Sequence, residues 1–331
     1  MGSSAHGLLG WIGVAGIAVL GAMGCSGESG ERDSTIAIIR PGPAGGLATD
    51  GTQLFWAYST ILERRDLQGE GLRAIANGPG RMGGVIADED AVYYVRGFYD
   101  RSSPAEDTEK NSDLIRYDKA AGTTKVLASS PTAISFVALF KGFLFFASDT
   151  SLTTNLINTE GEVRVVDARG DTPDRSFRSL GWQVSCQGLV ATEDALWILS
   201  KGTGAEPELT QVTADLQATS QPLAFPNECL EKSVLAALSE PTDAITGGAT
   251  RCWLTRDHLF WSHDATSGNG EENICDGGEL RVLDRASGVA KLVSVDGCSP
   301  RYAVSTPEAV WWVDDRSLID GPVELRFSAR P

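Results

Sequence analysis

TDGTQLFW, at residues 49–56, is the first of six related segments that decide the fold of this chain. Each segment has a tight polar turn, then an aliphatic or small residue, and then a pair of large residues. The later copies are DEDAVYY (88–94), FKGFLFF (140–146), TEDALWI (192–198), TRDHLFW (255–261) and TPEAVWW (306–312). Eleven of the twelve pair positions are aromatic although aromatic residues make up 8% of the chain, so the segments are copies of one repeat.

The repeat is typical of antiparallel strands. Two-residue polar turns such as Asp-Gly and Lys-Gly favour hairpins, and the aliphatic and aromatic residues after them favour strands. A second hairpin with alternating apolar and polar residues follows several copies, at residues 62–76, 114–128 and 280–294. Each repeat therefore supplies four strands, which is the composition of a propeller blade.

A single blade cannot bury both of its faces, so the blades must pack against each other in a ring. The aromatic pairs suit this packing, because each ring buries about 150–250 Å². The sequence predicts an all-β, six-bladed β-propeller. The sixth repeat ends with VELRFS (323–328), too close to Pro331 to add a fourth strand. We expect residues 34–40, STIAIIR, to supply that strand and close the ring.

The chain resembles six-bladed propellers of the TolB-like and YWTD-like type, particularly the propeller lipoproteins of large-genome bacteria such as myxobacteria. The resemblance covers residues 34–331, and WWVD at 311–314 is the nearest copy of the YWTD motif. FWAY, YYVR and FWSH are looser copies. This motif specifies blade packing and implies no particular chemistry, because one fold hosts many functions.

The N-terminal residues predict export. Leu8–Leu20 is an apolar stretch of about 20 Å as a helix, short of the roughly 30 Å hydrocarbon core. It is typical of a signal peptide over residues 1–24. Cleavage before Cys25 is consistent with lipoprotein processing or with ordinary secretory cleavage, and we favour acylation of Cys25. Residues 25–33 form a polar tether, which predicts lipid anchoring in the outer membrane or periplasm of a Gram-negative bacterium.

The charge balance restricts the partners. A net charge of −16 and a pI near 4.6 make the surface repel phosphate backbones and anionic lipids. We therefore expect no nucleic-acid binding, and membrane contact only through the N-terminal lipid.

The cysteines suggest one disulfide. Cys275 falls in the connection between the second and third strands of blade five, and Cys298 falls in the connection from blade five to blade six. Both kinds of connection emerge on the same face of a propeller, so we predict a Cys275–Cys298 disulfide, which export permits.

The candidate binding residues lie at the mouth of the central channel. The long inserts 96–113, 226–249 and 264–278 share one face, and the second contains a helical pattern of leucines. On that face we expect the first strands of blades four to six to begin with polar residues that anchor a small anionic ligand or an unknown protein partner. Salt bridges to loop acids are the alternative role of the two arginines. These residues are Gln187, Arg251, Arg301 and Tyr302.

The sequence carries no catalytic, cofactor or zinc signature that we would assign, and we predict neither metal nor cofactor. The favoured hypothesis is a non-enzymatic binding or scaffold module of the cell envelope. The alternative is a hydrolase or lyase that acts on sugars or lactones in the central channel. A purely structural stalk or inhibitor is the third hypothesis.

Overall fold

The computed structural model describes fifteen segments of the chain. These are residues 35–67, 71–97, 111–149, 160–182, 184–191, 195–202, 208–221, 250–254, 258–263, 266–267, 274–275, 278–284, 290–306, 308–316 and 322–329. Every regular element in them is a β-strand. Within these segments there is no helix with the length and apolarity needed to cross a membrane.

The N-terminal strand β1 Thr35–Arg40 precedes the repeats. The strands of the first three repeats are β2 Ala44–Thr49, β3 Gln53–Tyr58, β4 Ile61–Asp66, β5 Arg73–Asn77, β6 Met82–Ala87, β7 Ala91–Arg96, β8 Ser112–Asp118, β9 Thr123–Ser130, β10 Ile134–Phe140, β11 Phe143–Asp149, β12 Glu160–Asp167 and β13 Arg175–Trp182. Those of the last three are β14 Val184–Ala191, β15 Leu196–Gly202, β16 Glu208–Val212, β17 Ala218–Gln221, β18 Thr250–Leu254, β19 His258–His263, β20 Thr266–Ser267, β21 Ile274–Cys275, β22 Gly278–Asp284, β23 Ala290–Gly297, β24 Pro300–Ser305, β25 Ala309–Asp315 and β26 Val323–Ala329.

The described strands form six four-stranded antiparallel sheets, one for each repeat. In the first four sheets, strands adjacent in the chain are adjacent in space. The fifth sheet has the order β18-β19-β22-β23, because the short hairpin β20-β21 forms a separate two-stranded sheet between its second and third strands. The sequence predicted only a loop at this point.

The sixth sheet takes its fourth strand from the other end of the domain. Its order is β24-β25-β26-β1, so the N-terminal strand is the outer strand of the last blade. β1 lies antiparallel to β26, with Thr35 opposite Phe327 and Arg40 opposite Val323. This is the strand pairing that the sequence predicted for residues 34–40.

The hairpin turns are held by an aspartate at their start. Asp50 Oδ1 accepts hydrogen bonds from the backbone N–H groups of Thr52 and Gln53, at 2.8 and 2.7 Å. Asp88 Oδ1 does the same for the N–H groups of Asp90 and Ala91, at 2.9 and 2.7 Å. A short side chain that hydrogen-bonds to the backbone of its own turn stabilises the turn through local contacts alone. The first strand of each of these blades therefore reverses directly into the aromatic strand.

The two members of each aromatic pair pack against different neighbouring blades, which explains why the pair repeats. Phe55, the first member in blade one, packs in the core between blades one and two, whereas Trp56 packs in the core between blades six and one. Blades two, three and six show the same arrangement, with the first member toward the next blade and the second toward the previous blade. Successive side chains of a strand point to opposite faces, so two adjacent large residues serve two interfaces.

These cores join neighbouring blades around a ring. The five described cores lie between blades one and two, two and three, three and four, five and six, and six and one. Side chains between blades four and five lie largely outside the described residues. The inner strand of each blade is its first strand, so its free edge lines the central channel.

Candidate functional site

The best defined part of the channel mouth is the entry into the sixth blade. The connection from blade five reaches β24 through Cys298 and Ser299, and both backbone N–H groups donate to Asp314 Oδ1 at 2.8 Å. The N–H of Asp315 donates to the carbonyl of Ser299 at 3.0 Å. Asp314 is the aspartate of the WWVD segment and is completely buried. Its carboxylate therefore fixes the path by which the chain enters the inner strand.

Buried charges surround this entry and neutralise each other. Arg301 Nη1 lies 3.0 Å from Asp315 Oδ2, and their side chains are 3% and 1% exposed. Arg326 Nη2 lies 2.7 Å from Glu324 Oε2, and Arg326 Nε lies 3.5 Å from Asp314 Oδ2. Removing one partner of such a buried pair leaves an uncompensated charge, which costs about 3–5 kcal/mol. The network therefore holds three strands of the sixth blade in fixed positions.

The backbone next to Arg301 is strained. Tyr302 has a φ of +50°, a conformation that bulky residues rarely adopt. It lies in a β-bulge, because the pairing of β24 with β25 shifts register between Arg301 and Val304. Such a conformation costs on the order of 1–3 kcal/mol and persists where the surroundings enforce it. The Arg301–Asp315 ion pair and the hydrogen bonds to Asp314 hold Arg301, the residue before Tyr302, in place.

Bulges recur at the same place in the inner strands of the other blades. The register shifts between Ala44 and Gly46, Gly83 and Ile86, Ile134 and Phe136, and Cys186 and Gly188. Bulges redirect side chains and are frequent next to functional sites. Within the part of the chain that the structure describes, five of the six inner strands therefore contain a bulge.

The structure places all four predicted binding residues on inner strands. Gln187 lies in the bulge of β14, three residues after the strand begins at Val184, so the prediction that it begins the strand was wrong. A bulge inserts a residue that hydrophobic alternation does not reveal. Arg251 is the second residue of β18 and lies opposite Ser262. The side chains of Gln187 and Arg251 lie outside the described residues.

Arg301 and Tyr302 are both described, and the structure gives the arginine a partner. The sequence left open whether Arg301 would anchor a ligand or pair with a loop acid. Its partner Asp315 is the last residue of β25. The sequence did not single out this acid, nor Glu324 and Arg326. The available signal was the presence of charged residues inside WWVDD and VELRF, where a strand with two buried faces would otherwise be apolar.

The cysteines are only partly described. Cys25 lies outside the described residues. Cys275 is in the hairpin strand β21, between the second and third strands of blade five, as the sequence predicted. Cys298 is buried in the connection to blade six and is disulfide-bonded. The side chain of Cys275 is not among those described, so its pairing with Cys298 stays a prediction. Cys186 is buried in the core between blades three and four.

The long inserts that were predicted to form the rim are largely outside the described residues. The structure describes the ends of the insert 96–113 and the short strands β20 and β21 of the insert 264–278. It does not describe 226–249, including the predicted helical segment. Among the described residues, no group of three or more His, Cys, Asp or Glu side chains is arranged to hold a metal ion.

Comparison with solved structures bears out the architecture. Regucalcin, a calcium-binding protein from Agrobacterium tumefaciens, superposes with a TM-score of 0.50 at 11% identity, covering 91% of this chain and 96% of that chain. The chain is a β-propeller. TolB from Acinetobacter baumannii gives a TM-score of 0.43 at 13% identity, with 87% and 62% covered. An oligogalacturonate lyase in complex with manganese gives 0.44 at 15%, with 86% and 76% covered.

At these identities the likeness shows the fold alone. No protein-family model matches the chain, and no curated protein matches it. The propellers that resemble it include binding proteins and enzymes, so the function must be argued from the residues of this chain.

Proposed function

We propose that this protein is an exported binding module of the cell envelope, whose protein partner or small anionic ligand docks at the channel mouth where the inner strands begin. The observation that carries the proposal is the strained Tyr302, held in an inner-strand bulge beside the buried Arg301–Asp315 pair. Strain maintained by a rigid charged frame is characteristic of a pre-organised site.

Within this proposal the two arginines have different roles. The charge of Arg301 is matched by Asp315, so Arg301 positions the bulge and does not offer a free cation. Arg251, on the neighbouring inner strand, is the residue that would attract a carboxylate or an acidic partner. Gln187 and Tyr302, at the bulges of blades four and six, would make the remaining contacts.

Site-specific photocrosslinking tests the docking surface. We would replace Tyr302 or Gln187 with benzoylphenylalanine and irradiate cells that express the protein. The matched control is Val126, which is 50% exposed on an outer strand. The proposal predicts the same adduct from positions 187 and 302 and none from 126. Adducts of equal yield from all three positions would contradict it.

The hydrolase or lyase hypothesis makes a different prediction. An enzyme of that kind would bind a divalent ion near the ring axis. Titration calorimetry with Ca²⁺ and Mn²⁺ distinguishes the two hypotheses, because micromolar stoichiometric binding would favour the enzyme and exclude a metal-free module.

Lipid anchoring is tested by a separate experiment. Labelling of the protein with a palmitate analogue should be lost in Cys25→Ser.

A further inference from the structure

Arg65 lies at the interface between blades one and six. It is opposite Leu54 in the pairing of β3 with β4, and Leu54 belongs to the core that joins these two blades. The Arg65 guanidinium carbon lies 5.4 Å from the centre of the Trp311 ring in blade six. This cation–π contact fixes the plane of the guanidinium group without neutralising its charge.

Three buried hydrogen-bond donor atoms of this interface lack acceptors. Arg65 Nε and Nη1 are both buried and have no hydrogen-bond partner. Trp56 Nε1, on the same face of the neighbouring strand, is also buried without one. Among the described side chains of the blade one–blade six interface, the unpaired buried polar atoms are all donors. A buried donor without a partner costs about 1–3 kcal/mol, and more when it is charged.

The nearby carboxylates are already engaged. Glu63, two residues before Arg65 on the same face, accepts from Arg40 and from Tyr58, whose hydroxyl lies 3.1 Å from its Oε1. Asp66 accepts from Gln53 Nε2 at 2.8 Å. Burial lowers the pKa of Arg65 from its ordinary value, as expected for a cation with no counter-ion. Among the side chains described at this interface, no carboxylate is left to accept from Arg65.

We propose that the interface between blades one and six binds the carboxylate of a small organic acid, with Arg65 as the principal contact and Trp56 Nε1 as a second donor. A carboxylate is planar and accepts two parallel N–H groups of a guanidinium. Trp311 lies against the guanidinium of Arg65 and stacks on Phe327 at 4.7 Å between ring centres, and these aromatic surroundings favour an organic anion over phosphate.

This site is separate from the channel mouth. Arg65 is level with the hairpin turn that joins β2 to β3, because Gln53 is opposite Asp66. Arg301 is near the start of its inner strand, at the other end of a blade. The Arg65 side chain is partly exposed, although its Nε and Nη1 atoms are buried. The two proposals therefore succeed or fail independently.

The test uses acetate as the probe and the urea unfolding midpoint as the readout, at neutral pH and constant ionic strength with chloride as the reference. The wild-type midpoint should rise saturably as acetate replaces chloride. Arg65→Met should show no such rise, and in chloride it should be as stable as the wild type or more so. Arg73→Met, which removes an exposed arginine of the neighbouring strand β5, should respond to acetate as the wild type does.

Arg65→Lys keeps the positive charge and guards against a variant that does not fold. Because lysine lacks the planar fork, acetate should bind it at least about tenfold more weakly, which corresponds to about 1.4 kcal/mol. The ¹H–¹⁵N signal of Arg65 Nε should shift with acetate along the same saturation curve as the midpoint. If neither the wild-type unfolding midpoint nor the Nε signal changes with acetate, solvent alone satisfies these donors. That result would overturn the proposal.

Discussion

Arg40 and Glu63 form a two-point ion pair between the N-terminal strand and the first blade. Arg40 Nε lies 3.2 Å from Glu63 Oε2, and Arg40 Nη2 lies 3.3 Å from Oε1. Arg40 belongs to the outer strand of blade six, so the pair spans the junction at which the two ends of the domain meet. Tyr58 donates to the same carboxylate and lies under the Arg40 guanidinium.

Arg40→Met should lower the free energy of unfolding by about 1–2 kcal/mol, because it leaves the largely buried Glu63 with one donor fewer. The value is below that of a fully buried pair since Arg40 is 25% exposed. Urea unfolding measures the change. The exposed Arg73→Met provides the control and should change stability by no more than about 0.5 kcal/mol. Equal effects of the two substitutions would mean that the pair adds nothing at this junction.

Deleting residues 26–40 tests whether β1 closes the ring. The deletion removes the outer strand of blade six and Arg40, so β26 and the apolar side chains behind it become exposed. We expect the melting temperature to fall by many degrees. Deletion of 26–33 alone, which leaves β1 intact, should leave it nearly unchanged. If both truncated proteins have the same melting temperature as the intact domain, β1 does not close the ring.

Gly45→Ala should be strongly destabilising. A Cβ at position 45 would lie 1.8 Å from the carbonyl oxygen of Met82, in the inner strand of the next blade. Because that obstacle is backbone, two inner strands must move apart, at a cost of roughly 2–4 kcal/mol. The matched control is Gly78→Ala, where a Cβ meets nothing within 4 Å. Calorimetric melting of the two variants should separate them clearly, and similar melting temperatures would contradict this account of the inner strands.

Asp50 makes stability depend on acid pH. Burial raises its pKa, but the hydrogen bond from Lys119, together with those from Thr52 and Gln53, outweighs burial and holds the pKa below its ordinary value of 3.8. A depressed folded-state pKa contributes stability above the unfolded value, and this stability is lost as the pH falls through the folded one. Unfolding free energies measured from pH 6 to pH 2 should therefore fall less steeply below about pH 4 in Asp50→Asn than in the wild type. Parallel profiles would rule out this contribution.

The Cys275–Cys298 prediction is checked by peptide mapping of protein alkylated without reduction. A peptide that contains both residues is expected, because the connections that carry them emerge on the same face of blade five. In the chain-entropy model, closure of a loop of this size stabilises the fold by roughly 3 kcal/mol. Recovery of Cys298 linked to any other cysteine would exclude the pairing.

The sequence by itself determined the number of blades, the hairpins and the pairing of the N-terminal strand with blade six. These features follow from local chemistry, because the turn aspartates bind their own backbone and adjacent aromatic residues serve opposite faces. The tertiary structure alone decided the partners of the charged residues. Arg301 meets Asp315, Arg40 meets Glu63, and Arg65 meets the ring of Trp311. The residues next to a charged side chain in a strand do not indicate its partner. The partner depends on which neighbouring blade the side chain faces, and on bulges such as that at Gln187, which change the register of the strand.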